Sequence, residues 1–196
     1  VRDCLLTLNE IDRARRNALA HIFPDARLSA HDGELIAELV DGSSPSVILM
    51  NPPFARSRER GVDGRTAMRH LRSALRVCAV GGRIVAILPD GFDATAFVED
   101  QEQASLLLNI RLSGVFSRSG TGIAVRMVAI EKAARQDAST ITGEFADLSE
   151  LHSCLARLPD RAPMDANIYR LPVRSIATSV SGAAARKPVA PSRPNP

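Results

Sequence analysis

Tryptophan is absent from this 196-residue chain, and aromatic residues make up only 4% of it. Any core must therefore be built from Leu, Ile, Val and Ala. The apolar share of 45% and charged share of 24% are ordinary for one globular domain, and a chain of this length can hold a sizeable core unaided. Cysteine is scarce as well. Cys4, Cys78 and Cys154 lie far apart without a CxxC pair, and each sits in an apolar stretch, so all three are expected to be buried free thiols in a reducing compartment. With His21, His31, His70 and His152 also lacking ligand spacing, no metal site is expected. No apolar run approaches the roughly 18 residues of a membrane span, and no signal-peptide pattern opens the chain. The expectation is a soluble cytoplasmic protein. The formal net charge of +3 is mildly basic, which suits nucleic acid without establishing it.

Over the first 135 residues, apolar β-like runs alternate with helical patterns. Leu5–Leu8 reads as a strand ending at Asn9-Glu10. Residues Arg13–Phe23 read as a helix with Asp12 as N-cap and Ala14, Ala18, Leu19 and Ile22 on its apolar side. A short strand, Arg27–Ala30, ends at His31-Asp32-Gly33, and a short helix follows over Glu34–Val40. Ser46–Met50 is a wholly apolar strand that runs into Asn51-Pro52-Pro53-Phe54. Thr66–Val80 has clear helical periodicity, with Met68, Leu71, Leu75 and Val77 inward and Gly81-Gly82 as terminator. Arg83–Leu88 is a further apolar strand closed by Pro89-Asp90-Gly91. A helix is expected over Ala94–Ile110, then a hairpin of Arg111–Phe116 and Ile123–Lys132 around Ser117–Gly122. This βαβα alternation with continuously apolar strands predicts an α/β fold: a Rossmann-like, mostly parallel sheet with helices on both faces, ending in an antiparallel hairpin at the edge. After Ala133 the pattern weakens. Residues 136–174 read as a helical or irregular extension with one helix near Leu148–Leu158, and 175–196 as a disordered tail or linker.

In open α/β sheets, ligands bind beyond the carboxyl ends of the strands. Polar residues close three successive strands here: Asn9-Glu10, His31-Asp32 and Asn51. A carboxylate at such an end can accept both hydroxyl protons of a ribose, and one after the next strand can accept from an adenine amino group. Asn51-Pro52-Pro53-Phe54 carries the sharpest signal. Two prolines cannot continue a buried strand, because each lacks an N–H and fixes φ. They hold the backbone so that the Asn51 side-chain oxygen and the Pro52 carbonyl converge. Two such acceptors would bind a planar amino group and draw its nitrogen toward a more nucleophilic geometry, while Phe54 offers a stacking face. Beyond the motif, Arg56, Arg58, Arg60, Arg65, Arg69, Arg72 and Arg76 are opposed only by Glu59 and Asp63. Such a run is either a solvated face or, for Arg56, Arg58, Arg60 and Arg65, a contact for phosphates beside a base pocket.

Over about residues 4–132 these features resemble the amino-methyltransferase branch of class I S-adenosylmethionine-dependent methyltransferases, above all N6-adenine DNA methyltransferases of type I restriction systems and mobile elements. The resemblance is carried by Asn51-Pro52-Pro53-Phe54, by Leu8–Asp12, by His31-Asp32-Gly33, by Gly81–Phe92 and by Gly114–Lys132. It implies that Asn51, Pro52, Pro53 and Phe54 are catalytic and that S-adenosylmethionine is the cofactor. Glu10 is then its ribose ligand, Ile11 packs on its adenine, and Asp32 with Gly33 lies at the adenine amino group. DNA is the implied partner, with a further domain or subunit for target recognition. The family's first strand, first helix and glycine-rich loop should precede Glu10. The chain instead enters Leu5-Leu6-Thr7-Leu8 directly after Val1-Arg2-Asp3-Cys4, so a fragment or a late-entered reading frame is expected. Guanine in ribosomal RNA and a protein glutamine amide are alternative targets. A non-catalytic remnant of a larger helicase-like protein is an alternative of another class.

Overall fold

In the computed structural model, the described residues are 4–39, 44–54, 56–57, 61–62, 65–116, 122–133, 135 and 139–161. The tail expected over 175–196 lies outside them.

Apolar strands paired in register form the frame. Strand β1 (Thr7–Asn9) leads to α1 (Arg13–Ile22), where Asp12 is the N-cap as expected and its side chain accepts the Arg15 N–H. Strand β2 (Arg27–Ser29) pairs in parallel with β1. A 3-10 turn at Gly33–Leu35 and the short helix α2 (Ile36–Leu39) take the place of the single helix expected there. Strand β3 (Val47–Met50), the two-residue strands β4 (Arg56–Ser57) and β5 (Gly61–Val62), helix α3 (Thr66–Val77) and strand β6 (Arg83–Pro89) come next. They are followed by α4 (Ala94–Glu99), β7 (Ser105–Leu112), β8 (Val125–Glu131), β9 (Ile141–Phe145) and α5 (Leu148–Leu155). The main sheet has five strands in the order β3-β6-β8-β7-β9, and β1-β2 forms a separate parallel pair.

Two expectations are corrected here. The helix foreseen over Ala94–Ile110 stops at Glu99, and Ser105–Leu112 is a strand buried on both faces. The hairpin of β7 and β8 is not at the edge: β8 inserts antiparallel between β6 and β7, and β9, absent from the sequence reading, extends the sheet in parallel beyond β7.

The sheet is covered on both faces. On one side, Leu71, Ala74 and Leu75 of α3 and Phe97 of α4 pack on Ile84, Ala86 and Leu88 of β6 and Ile130 of β8. On the other, Leu151 and Cys154 of α5 pack on Leu107, Ile110 and Ala129, with Phe54 at the margin. Buried Cys78 and Cys154 match expectation, whereas Cys4 is exposed. Helix α3 ends by close approach: a Cβ at Gly82 would lie 2.7 Å from Cys78 Sγ, and Gly81 has φ of 76°, so both glycines are required. Lys132 Nζ donates to the terminal carbonyls of Arg76 and Cys78, satisfying acceptors that the helix itself leaves open.

The apolar side foreseen for α1 is not covered. No α1 residue is buried, and Ile22 is 63% exposed. Leu5 and Ile11 near β1 are exposed as well, and so are Val47 and Leu49 on β3, the edge strand of the main sheet. Among the described residues, no helix is long and apolar enough to cross a membrane.

Candidate functional site

Glu10, Asp32 and Asn51 follow the carboxyl ends of β1, β2 and β3. Asn51 follows β3, one residue past the Met50–Ala86 pair with β6. Asn51 and Pro53 are exposed, Pro52 is buried, and Phe54 is half-buried against the cluster of Leu107, Ile110, Val125 and Ala129. The motif is thus an exposed amide with a buried proline behind it, held on a rigid strand end. On β6, the strand paired in parallel with β3, Asp90 follows the last residue. Its carboxylate accepts from Arg111 Nε at 2.9 and 3.0 Å, and its carbonyl accepts from Arg126 Nε at 3.1 Å. Glu144 on β9 binds the same Arg111 at 2.6 Å, so β9 helps to anchor the Pro89-Asp90-Gly91 turn that follows the parallel neighbour of β3.

At the other end of the candidate site, the Asn9 side chain staples β1 to β2. Its Oδ1 accepts from the His31 N–H at 3.0 Å and from Ser29 Oγ at 2.8 Å, while its Nδ2 donates to the His31 carbonyl at 3.0 Å. The sequence marks Asn9 with Glu10 as a polar strand end; its three bonds tie together the strand ends from which Glu10 and Asp32 follow. Glu10 is already engaged, since Arg15 Nε lies 3.1 Å from Oε2 and the Asp12 N–H donates to Oε1 at 2.8 Å. The Arg15 side chain is 70% exposed, so swinging it away to free the carboxylate costs little. Ile11 is 62% exposed beside it, an apolar face open to a planar ring. Asp32 uses Oδ1 to cap the turn through the Glu34 N–H at 3.0 Å, and its other oxygen has no partner among the described residues.

The arginine run divides. Arg58 and Arg60 lie outside the described residues. Arg56 pairs through its backbone with Val62, and Arg65 is exposed at the N-terminus of α3. Arg69 faces Glu34, and Arg72 lies 3.7 Å from Asp100, so these two have acidic partners within the protein. No group of three or more His, Cys, Asp or Glu side chains placed to hold a metal occurs among the described residues.

No family model matches the chain, and no curated protein matches it by sequence. Solved structures do match. A Listeria monocytogenes protein assigned to the class I S-adenosylmethionine-dependent methyltransferases superposes with a TM-score of 0.59 at 16% identity, over 79% of this chain and 54% of that one. A modification subunit of a type I restriction enzyme from Vibrio vulnificus superposes at 0.55 with 20% identity, over 79% and 41%. The M protein of the type I restriction enzyme EcoKI superposes at 0.50 with 15% identity, over 69% and 32%. The fold is therefore that of the class I S-adenosylmethionine-dependent methyltransferases, and the chain spans about half, or less, of the length of these neighbours.

Proposed function

We propose that this chain carries the target-binding and adenosine-binding parts of an S-adenosylmethionine-dependent methyltransferase that methylates an exocyclic amino group, adenine N6 in DNA. The single observation that supports it most is the exposed Asn51 amide, backed by buried Pro52, at the carboxyl end of β3 in this fold. Three features fit the cofactor: an Asp32 oxygen without a partner among the described residues, the exposed Ile11 face, and a Glu10 carboxylate held by a surface arginine and a turn N–H. When bound, the cofactor supplies a methyl group on a positively charged sulfur.

Asn51 Oδ1 and the Pro52 carbonyl accept the two N–H bonds of the target amino group and orient its lone pair at the methyl carbon. With the cofactor bound, the nitrogen would take the methyl group as the sulfonium C–S bond breaks, and the extra proton would leave to water. No strong base is required, because orientation and proximity supply most of the rate. Half-buried Phe54 offers its ring to the target base, which must leave a duplex to reach it. Type I modification subunits among the structural neighbours support DNA as substrate, and Arg56, Arg58, Arg60 and Arg65 would meet its phosphates.

The test is transfer of labelled methyl from S-adenosylmethionine to adenine-containing DNA, with Asn51→Ala as control. Because Asn51 is exposed, the variant should fold normally, and activity should fall by about a hundredfold or more. Methylation of ribosomal RNA or of a glutamine peptide, but not of DNA, would move the reading to those substrates. The uncovered apolar surface on α1 and on the β3 edge favours a second reading, in which a further segment or subunit must cover that surface before the site works.

A further inference from the structure

We infer that one face of α3 is a latch that sets the adenosine-side segment against the target-side segment, with Arg69 and Ser73 as its positioning residues and Gly33 as the gap that admits the His70 ring. What the latch serves rests on the function proposed above; its existence rests on geometry alone. Residues 4–39 carry Glu10, Ile11 and Asp32, and their strands β1 and β2 are not hydrogen-bonded into the five-stranded sheet that carries Asn51. The two parts meet at α3.

The first contact is a two-pronged ion pair. Arg69 Nε lies 2.6 Å from Glu34 Oε2, and Nη2 lies 2.9 Å from Oε1. Both side chains are partly shielded, at 37% and 19% exposed, and the planar fork fixes direction as well as distance. Secondly, the His70 ring lies flush against Gly33: a Cβ there would come within 2.7 Å of Cδ2 and 3.0 Å of Nε2. The ring cannot easily retreat, since Nδ1 is 3.0 Å from the Thr66 carbonyl oxygen and the side chain is only 14% exposed. Thirdly, buried Ser73 accepts the Ala37 N–H on Oγ at 3.0 Å.

Arg69 and Ser73 are four residues apart, so they lie on one stripe of the helix. The coupling to the cofactor segment is short. Arg69 holds the Glu34 side chain, and the Glu34 N–H is the group that orients the Asp32 carboxylate. Gly33 is therefore chosen for close approach, and a side chain there would displace His70 or lift the Asp32 turn from α3. Leu71, Ala74 and Leu75 of α3 also lie in the core cluster on which Ile48 and Met50 of β3 pack, and β3 leads directly into Asn51, so one helix refers both ends of the candidate site to each other.

The test uses the full chain and the variants Arg69→Met, Gly33→Ala and the double variant Gly33→Ala/His70→Ala. Hydrogen exchange reads the latch directly, because the Ala37 amide is protected by Ser73. Residues 33–37 should exchange faster in Arg69→Met and Gly33→Ala, with β6 and β8 unchanged, and protection should largely return in the double variant, where the clash is removed. Calorimetry with S-adenosylmethionine should show affinity about tenfold weaker in both single variants and mostly recovered in the double one. Unchanged exchange at 33–37 overturns the latch. Faster exchange with unchanged cofactor affinity overturns its positioning role. If the wild-type chain takes up no cofactor, the functional reading falls, and the exchange comparison alone upholds or overturns the latch.

Discussion

Replacing Glu131 with Gln removes the one wholly buried charge of a largely buried ion cluster while keeping its shape. Glu131 is 0% exposed at the end of β8, opposite Arg83 in the β6 register. Its two oxygens are taken by Arg83 Nη2 at 2.7 Å and by Arg135 Nε at 2.5 Å. Arg83 also donates to the Pro159 carbonyl at 2.9 Å, and its buried Nε has no partner among the described residues, so this guanidinium depends on Glu131 for charge balance. Gln keeps one acceptor but turns an amino group toward an arginine. Removing one partner of a buried pair costs about 3–5 kcal/mol, and the retained acceptor places this variant near the lower end, at about 3 kcal/mol. Burial alone would raise the Glu131 pKa, but the hydrogen bonds from Arg135 and Arg83 outweigh it and hold the carboxyl below its ordinary 4.5. The stabilisation is therefore full above the unfolded value and is lost as pH falls through the lower folded value. Urea unfolding followed by far-ultraviolet circular dichroism, which needs no tryptophan, should show a gap near 3 kcal/mol at pH 7 that closes below about pH 4.5. A gap under about 1 kcal/mol at pH 7, or one that widens in acid, would refute the reasoning. Cofactor affinity should not change, because Arg83 stands at the opposite end of β6 from Pro89, about 20 Å away at strand spacing.

Other outcomes follow from burial. Native thiol labelling at pH 8 should modify Cys4 alone, since Cys78 and Cys154 are buried and burial pushes the Cys78 thiol up to about 11; rapid labelling of two or more thiols in folded protein would contradict this core. Ile84→Ala should cost about 2–5 kcal/mol in urea unfolding, because Ile84 is 0% exposed in the centre of the main cluster. Leu49→Lys, at 77% exposed on the β3 edge, should cost less than about 0.5 kcal/mol in the same assay; a loss of several times that would show that another segment covers the edge.

The strand ends were legible because their signals are local: Asp12 caps α1, two prolines stop β3, and two glycines end α3. The Ala94–Ile110 misreading has a physical cause. Leu106, Leu107 and Leu108 are all buried around a register shift in β7, so the run shows no period of two, and leucine favours helices intrinsically. Residues 100–104 between α4 and β7 contain neither Gly nor Pro to mark the break. Strand β9 was hidden by Gly143, which weakens a strand pattern; in the fold, the Phe145 ring lies where a Cβ at Gly143 would be 3.1 Å from Cε2. The candidate site was legible as residue types, but not as an assembly. Nothing local in Asn9, Arg69 or His70 announces a partner more than twenty residues away, and only the fold brings each to its contact.

The most direct test of the central claim is calorimetric titration of S-adenosylmethionine into the full chain, beside Asp32→Asn. The amide retains an oxygen to cap the Gly33–Leu35 turn but loses the charge and one acceptor that the adenine amino group would use. Saturable binding to the wild type, weakened about tenfold in the variant, is the predicted result. A folded wild-type chain that takes up no cofactor, or equal binding by both proteins, would contradict the account.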